Sequence, residues 1–288
     1  MVYYGLVIVS VIMFGVQFYV NDLYKNESGS GMSAAMMLGL LSGLTGTVCL
    51  FIMNGFSISS TPFTVIMGTV TAVNSVLYTV FSLKALARIN LSLYSLFAML
   101  GGMLLPFFQG LFFYGEPFTL AKGLCLAFIA AALLLTVERG GKKGGAVYYV
   151  GVFILNGMSG VLSKLYQELP YEKASNADYS IWIAMLSTVI SGMMLFWLLV
   201  KSSDRSRFGI KSLVFGALNG GLSRVANYVL LIALTVLPSS VQYPFVTGGV
   251  MIVSTAICFI TGRRPSKKEV ISVALAFVGV LLLVCVPV

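Results

Sequence analysis

A stripe of polar side chains within residues 209–235 is the part of this sequence best suited to bind a solute. Its members recur at steps of three and four residues, the spacing that places side chains on one face of a helix. A guanidinium binds a carboxylate or phosphate through paired hydrogen bonds, and amides and hydroxyls add neutral partners. The stripe therefore predicts a binding site centred on an arginine. The residues of the stripe are Gly216, Asn219, Gly220, Ser223, Arg224 and Asn227.

Polar residues in five other apolar segments are candidates for the same site. Small residues also allow close helix packing, and amides also hydrogen-bond between helices, so packing stays open as their alternative role. Lys164 lies near the end of its segment, where its ammonium can also reach the membrane surface. The further candidates are Gln17, Asn74, Tyr78, Tyr94, Asn156, Lys164, Gln242 and Tyr243.

Composition places these residues in a membrane. The chain has 288 residues, 58% of them hydrophobic and 9% charged, with a mean hydropathy of +0.98. A transmembrane helix takes about 20 apolar residues. These totals exclude a soluble enzyme, a secreted disulfide scaffold and a receptor with a single anchor, and they indicate a polytopic membrane protein.

Ten hydrophobic segments with short connections predict an all-α protein of ten transmembrane helices, because a helix satisfies its own backbone groups in lipid. Two connections, 21–31 and 167–178, are the longest and are predicted as polar loops. The predicted spans are 2–20, 33–53, 63–84, 91–114, 118–137, 146–167, 179–200, 209–235, 238–261 and 269–287.

An internal repeat divides the chain at a Gly/Lys linker, residues 138–145 (ERGGKKGG). An ordered series of Gly, Ser and Pro identities aligns residues 1–137 with residues 146–288, and Ser92 meets Ser240 and Pro117 meets Pro265 in that alignment. Five spans per half is an odd number, so the second copy enters the membrane from the opposite side. The sequence predicts two inverted five-helix repeats, an architecture that recurs in transporters with a site at the repeat interface.

Arg224 is the residue that most needs a partner. It lies about twelve residues before the end of its span, roughly 18 Å at 1.5 Å per residue. An unpaired cation at that depth costs about 2.5–3.5 kcal/mol or more, and the carboxylates lie in connections or at the end of a predicted span. Helix carbonyls, water in a cavity and the substrate stay open as its partners.

The residue types that the sequence lacks, and the places of its charged residues, argue against several classes of function. With no histidine and no pair of buried acids, the chain offers no acid–base machinery, so we expect no enzyme activity and no cofactor. Four single cysteines predict no metal site. All nine acidic residues lie in or next to connections, which disfavours a proton-coupled cation pump. The net charge of +9 arises in those connections and indicates membrane topology, with no nucleic acid as a partner.

The end of each half resembles a known family. Residues 89–136 are similar to the closing two helices of an EamA-type half in the drug/metabolite transporter superfamily, with a polar entry, a mid-helix proline and a Gly-Glu pair before a small-residue span. Residues 237–284 follow the same order. Glu116 matches the family's acidic position, where the second copy has Arg263 and Arg264. The resemblance implies exchange of small metabolites by alternating access.

Two substrate classes remain open at this point. The first is a small anion or an amino-acid-like zwitterion bound at Arg224. The alternative is an organic cation or drug bound by the faces of Tyr78, Tyr94, Tyr228 and Tyr243. In either case the partners are a small-molecule substrate and the lipid bilayer, for a monomer or homodimer in the plasma membrane of a bacterium.

Basic residues predict the orientation of the chain. The odd-numbered connections contain fourteen of the eighteen Lys and Arg residues. Because positive loops stay in the cytoplasm, this count predicts that both termini lie outside. Members of the resembled family are drawn with both termini inside, and the sequence leaves the two orientations open.

Overall fold

A computed structural model of the protein describes residues 2–29, 31–86, 91–135, 146–201, 208–262 and 267–285. Those residues form ten α-helices and no β-strand. The all-α prediction and the number of helices are confirmed. The helices are α1 (Val2–Ser28), α2 (Met32–Met53), α3 (Pro62–Leu86), α4 (Leu91–Phe113), α5 (Leu120–Leu135), α6 (Ala146–Glu168), α7 (Asn176–Lys201), α8 (Ile210–Leu234), α9 (Ser239–Ile260) and α10 (Lys267–Cys285).

Helix α1 continues into the segment that was predicted as a loop. It ends at Ser28, so most of residues 21–31 is helical. Tyr24 in this extension is buried, and its hydroxyl donates a hydrogen bond of 2.7 Å to the carbonyl of Ala34 at the start of α2. Hydropathy located the apolar span, but this tertiary contact fixes where the helix ends.

The outer surface of the bundle is apolar. Large hydrophobic side chains on several helices are exposed, including Phe112 and Phe113 on α4 and Ile210 on α8. An exposed apolar surface of this extent is typical of contact with lipid. Among the described residues, six helices (α1, α2, α3, α7, α8 and α9) are long and apolar enough to cross a membrane. The protein is a membrane-embedded helical bundle.

The helices of the first half pack mainly on helices of the second half. Helix α1 lies against α8 and α9, α2 against α7 and α8, and α3 against α6 and α7. Helix α4 packs on α6 and α9, and α5 packs on α10. The halves α1–α5 and α6–α10 therefore share a long interface, and the interior of the protein lies between them.

Glycine permits the closest of these helix crossings. A Cβ atom at Gly101 on α4 would overlap the backbone of Phe153 on α6, and one at Gly157 would lie 2.5 Å from the carbonyl oxygen of Gly101. Small residues at such crossings let two backbones approach in a bilayer. This contact places the polar residues of α6 beside those of α4.

Candidate functional site

A cavity of about 350 Å³ lies at the interface between the two halves. Helices α1–α4 line one side of it and α6–α9 line the other. The lining alternates apolar walls, such as Phe14 and Leu230, with many neutral hydrogen-bonding groups. Its volume is at the lower end of the range of small-molecule sites. A polar cavity inside a membrane-embedded bundle is a candidate binding site for a solute.

Arg224 is the one charged side chain among the described residues that line this cavity. It starts on α8, and its aliphatic stem lies against Gly46 on α2. Its Nη2 donates to the hydroxyl of Ser75 on α3 at 3.4 Å, a long hydrogen bond. The described residues contain no ion pair to Arg224. Most of the five N–H donors of the guanidinium are therefore available to a ligand.

Backbone carbonyls orient the amide side chains around the cavity. Asn74 donates 3.0 Å to the carbonyl of Leu155, and Asn156 donates 2.7 Å to the carbonyl of Ala98. Asn227 donates 2.8 Å to the carbonyl of Ser223 on its own helix. An amide whose NH₂ group is engaged in this way offers its oxygen to a donor on a ligand.

The structure brings most of the predicted site residues together. Nine of the twelve line the cavity, and they come from five different helices. The side chain of Tyr94 lies outside the described residues. The nine residues are Gln17, Asn74, Tyr78, Asn156, Asn219, Ser223, Arg224, Asn227 and Tyr243.

Lys164 and Gln242 lie away from the cavity lining. Lys164 is 7% exposed at the end of α6, where its Nζ is 2.8 Å from Glu168 Oε1 and 4.0 Å from Glu116 Oε1. Gln242 is buried and donates 2.9 Å to the carbonyl of Leu230. Both contacts are internal to the protein, and Lys164 has the ion pair that Arg224 lacks among the described residues.

Helix α7 contributes lining residues that the sequence analysis did not select. Ser180, Ser187 and Ser191 face the cavity, and so do Ser42 on α2 and Thr247 on α9. The three α7 serines are separated by seven and four residues, which is a helical period. That spacing was visible in the sequence, but isolated serines in an apolar helix are ordinarily packing residues.

A network of carboxylate hydrogen bonds centred on Asp178 joins the two halves where α7 begins. This residue is 4% exposed. Its oxygens accept bonds from Asn54 Nδ2 at 3.0 Å and from the backbone and hydroxyl of Ser59 at 3.1 and 2.6 Å. The backbone and hydroxyl of Ser175 add bonds of 3.2 and 2.7 Å. The α2–α3 connection is thereby attached to the start of α7.

A second carboxylate, Glu116, joins the halves at the same end of the bundle. Its oxygens accept bonds from the backbone N–H groups of Ser239 and Ser240, both at 2.9 Å, and from the Ser239 hydroxyl at 3.0 Å. Burial by itself raises the pKa of this carboxyl, but the bonds from Ser240 and Ser239 outweigh burial and hold the pKa below its usual value. Glu116 thus attaches the α4–α5 connection to the N-terminus of α9.

Two stacked tyrosines pack beside the cavity. The rings of Tyr166 and Tyr179 are parallel with centroids 3.8 Å apart, and both side chains are fully buried. The hydroxyl of Tyr179 lies 2.7 Å from Thr71 Oγ1, and that of Tyr166 lies 3.1 Å from Thr64 Oγ1. Tyr179 and Thr71 both line the cavity, so this contact forms part of its wall between α3 and α7.

Two of the four tyrosines proposed for a cation site line the cavity. They are Tyr78 and Tyr243, and the hydroxyl of Tyr243 donates 3.2 Å to the carbonyl of Gly160. Tyr228 packs instead beside Leu50 and Ile181, and the side chain of Tyr94 lies outside the described residues. Tyr179, which was not selected from the sequence, also lines the cavity.

These features define a helical membrane protein with a polar interior site. No protein-family model matches the chain, and no curated protein matches it significantly. The fold itself is found among solved structures. One crystal structure matches with a TM-score of 0.76 over 97% of this chain and 95% of that chain, at 16% sequence identity. At that identity the likeness shows a shared fold alone.

Proposed function

We propose that the protein is a transporter that moves a small polar metabolite, either an anion or an amino-acid-like zwitterion, across the membrane by alternating access. The observation that carries this proposal is Arg224, which has no ion pair among the described residues, in a polar cavity inside a membrane-embedded bundle. A cation at this position is costly without a partner, and functional pathways are where such residues are ordinarily found. We propose transport over catalysis because the sequence contains no histidine and places its acidic residues at helix ends.

The pattern of helix contacts supports the two inverted repeats that the proposal requires. If α1–α5 are exchanged for α6–α10 in order, the contact of α1 with α8 becomes that of α6 with α3. In the same way α1 with α9 becomes α6 with α4, and α2 with α8 becomes α7 with α3. All of these contacts are present, as a two-fold relation between residues 1–137 and residues 146–288 requires. Membership of the EamA-type transporters is part of this proposal.

Hydrogen-bonded ties between the halves support a mechanism with two access states. Asp178 and Glu116 tie loops of the first half to helices of the second at one end of the bundle. In the repeat alignment Asp178 corresponds to Ser33 and Glu116 to Arg264, so neither carboxylate has an acidic counterpart in the other repeat. We propose that these ties stabilise one access state and break when the halves move.

A stability screen of the purified protein tests the proposal. A ligand that binds only the folded protein raises its melting temperature in detergent by mass action. We expect stabilisation by members of a panel of carboxylates, phosphates and amino acids, and loss of that stabilisation in Arg224→Gln. Stabilisation by organic cations alone, unchanged in Arg224→Gln, would contradict the proposal.

A further inference from the structure

We propose that the ligand is an organic monoanion that carries neutral hydroxyl groups and no ammonium group, so that a hydroxy acid is preferred over the matching amino acid. This inference rests on the proposed function and selects one of its two substrate classes. It depends on the net charge of the cavity, which the sequence alone does not give.

The cavity has one charge to neutralise. The described lining residues include Arg224 and no carboxylate. The two acidic side chains that tie the halves together are already occupied: Asp178 by five hydrogen bonds and Glu116 by three. Neither is among the residues that line the cavity. The described lining of the cavity therefore carries a net charge of +1.

Ligands of different charge have different effects on the net charge of the cavity. A monoanion paired with Arg224 makes the site neutral, which removes the cost of holding a net charge away from water. A zwitterion pairs its carboxylate with Arg224, but its ammonium restores the net charge of +1. An organic cation raises the net charge further. Electrostatics therefore orders the three classes with the monoanion first.

The remainder of the lining matches a hydroxylated ligand. Amides and hydroxyls surround Arg224 on several helices, among them Asn74, Asn156 and Asn227 with their NH₂ groups engaged on backbone carbonyls. Hydroxyl groups of a ligand can donate to such oxygens without adding charge. The carboxylate is expected between Arg224 and Ser75, where the guanidinium already makes its one described hydrogen bond.

Matched pairs of ligands test this inference. Each pair differs only in a hydroxyl or an ammonium at the second carbon: lactate and alanine, 2-hydroxyisocaproate and leucine, and 3-phenyllactate and phenylalanine. Binding is measured by thermal shift and by titration calorimetry on the full chain in detergent at neutral pH. We expect the hydroxy acid to bind at least about 10-fold more tightly than its amino acid in any pair that fits the cavity, which corresponds to one charged interaction.

Variants of the arginine show that the preference originates at this site. Arg224→Gln should weaken hydroxy-acid binding by about 10- to 100-fold. Arg224→Lys keeps the charge but not the paired geometry, so it should bind more weakly than wild type and still prefer the hydroxy acid. Lys201→Gln removes one positive charge from an exposed helix end beside Trp197 and should bind like wild type.

The outcomes separate this inference from the function on which it rests. Tighter binding of the amino acids, with loss in Arg224→Gln, would overturn the monoanion preference and leave the proposed transporter intact. Hydroxy-acid binding that persists unchanged in Arg224→Gln and Arg224→Lys would also overturn it. Failure of every acid in the panel to bind, or a response to cations only, would overturn both proposals.

Discussion

Gly46 offers a test of the site at a residue that does not itself line the cavity. It is buried on α2, and the stem of Arg224 crosses the helix at this glycine. A Cβ atom at position 46 would lie 2.8 Å from Arg224 Cβ and closer still to its Cγ, where ordinary contacts begin at 3.4 Å. Gly46→Ala therefore requires the arginine to move by at least about 0.6 Å.

A displacement of this size is large enough to break the hydrogen bond between Arg224 and Ser75. The bond from Arg224 Nη2 to Ser75 Oγ is 3.4 Å long, so a further separation of this size breaks it. Loss of one charge-assisted interaction with the ligand costs about 1.5–3 kcal/mol, or about 10- to 100-fold in affinity. Overpacking lowers the free energy of unfolding by a further ~1–3 kcal/mol.

Affinity and stability have to be measured separately, by calorimetry with a bound anion and by thermal unfolding without one. Gly43→Ala is the matched control, because a Cβ there meets Thr188 and the backbone of Ala184 on α7 and does not touch Arg224. We expect both variants to lose stability, whereas only Gly46→Ala loses affinity. Wild-type affinity in Gly46→Ala, or an equal loss in Gly43→Ala, would refute the idea that α2 positions the guanidinium.

Three further predictions concern the two carboxylate ties and the orientation of the chain. The pKa of Glu116 is held below its ordinary value of 4.5, so the carboxylate stabilises the fold above about pH 4.5 and this contribution is lost as the pH falls through the lowered pKa. The difference in melting temperature between wild type and Glu116→Gln should therefore shrink below pH 4.5, and a constant difference would contradict this prediction. Asp178→Asn places an amide NH₂ group among five hydrogen-bond donors, so it should lower the free energy of unfolding by ~1–3 kcal/mol in denaturant titrations. An unchanged unfolding midpoint would show that the network does not stabilise the protein. The charge count predicts that alkaline phosphatase fused after Val288 is active outside the cell, and fluorescence of a cytoplasmic reporter at the same position would reverse the orientation.

Lys164 and Arg224 mark the limit of what a sequence pattern tells about a site. Each is a basic residue in a polar stripe of an apolar helix. In the structure Lys164 pairs with Glu168 on its own helix and lies near Glu116, which is 48 positions earlier in the chain. Arg224 has no such partner among the described residues. Periodicity gives the face of a helix, but it does not give the neighbour that the face meets.

Hydropathy and periodicity are local properties, and the features that depend on them were predictable. Ten helices, an apolar exterior and a polar stripe on α8 follow from residues within about 20 positions of one another. Most of the proposed site residues reached one cavity for the same reason, since the polar faces of helices in lipid turn inward. The extension of α1 to Ser28 was missed because Tyr24 is buried by α2 and not by its own sequence neighbours.

Only the tertiary structure determined which polar groups are satisfied and which are free. The Asp178 network joins residues up to 124 positions apart, and Gly46 acts on Arg224 across a helix crossing. A charged side chain inside a membrane protein stabilises the fold when a protein partner lies within hydrogen-bonding distance, and it is available to a ligand when no such partner is present. That distance is set by how the helices pack, because the energies of helix packing sum over contacts between residues remote in sequence.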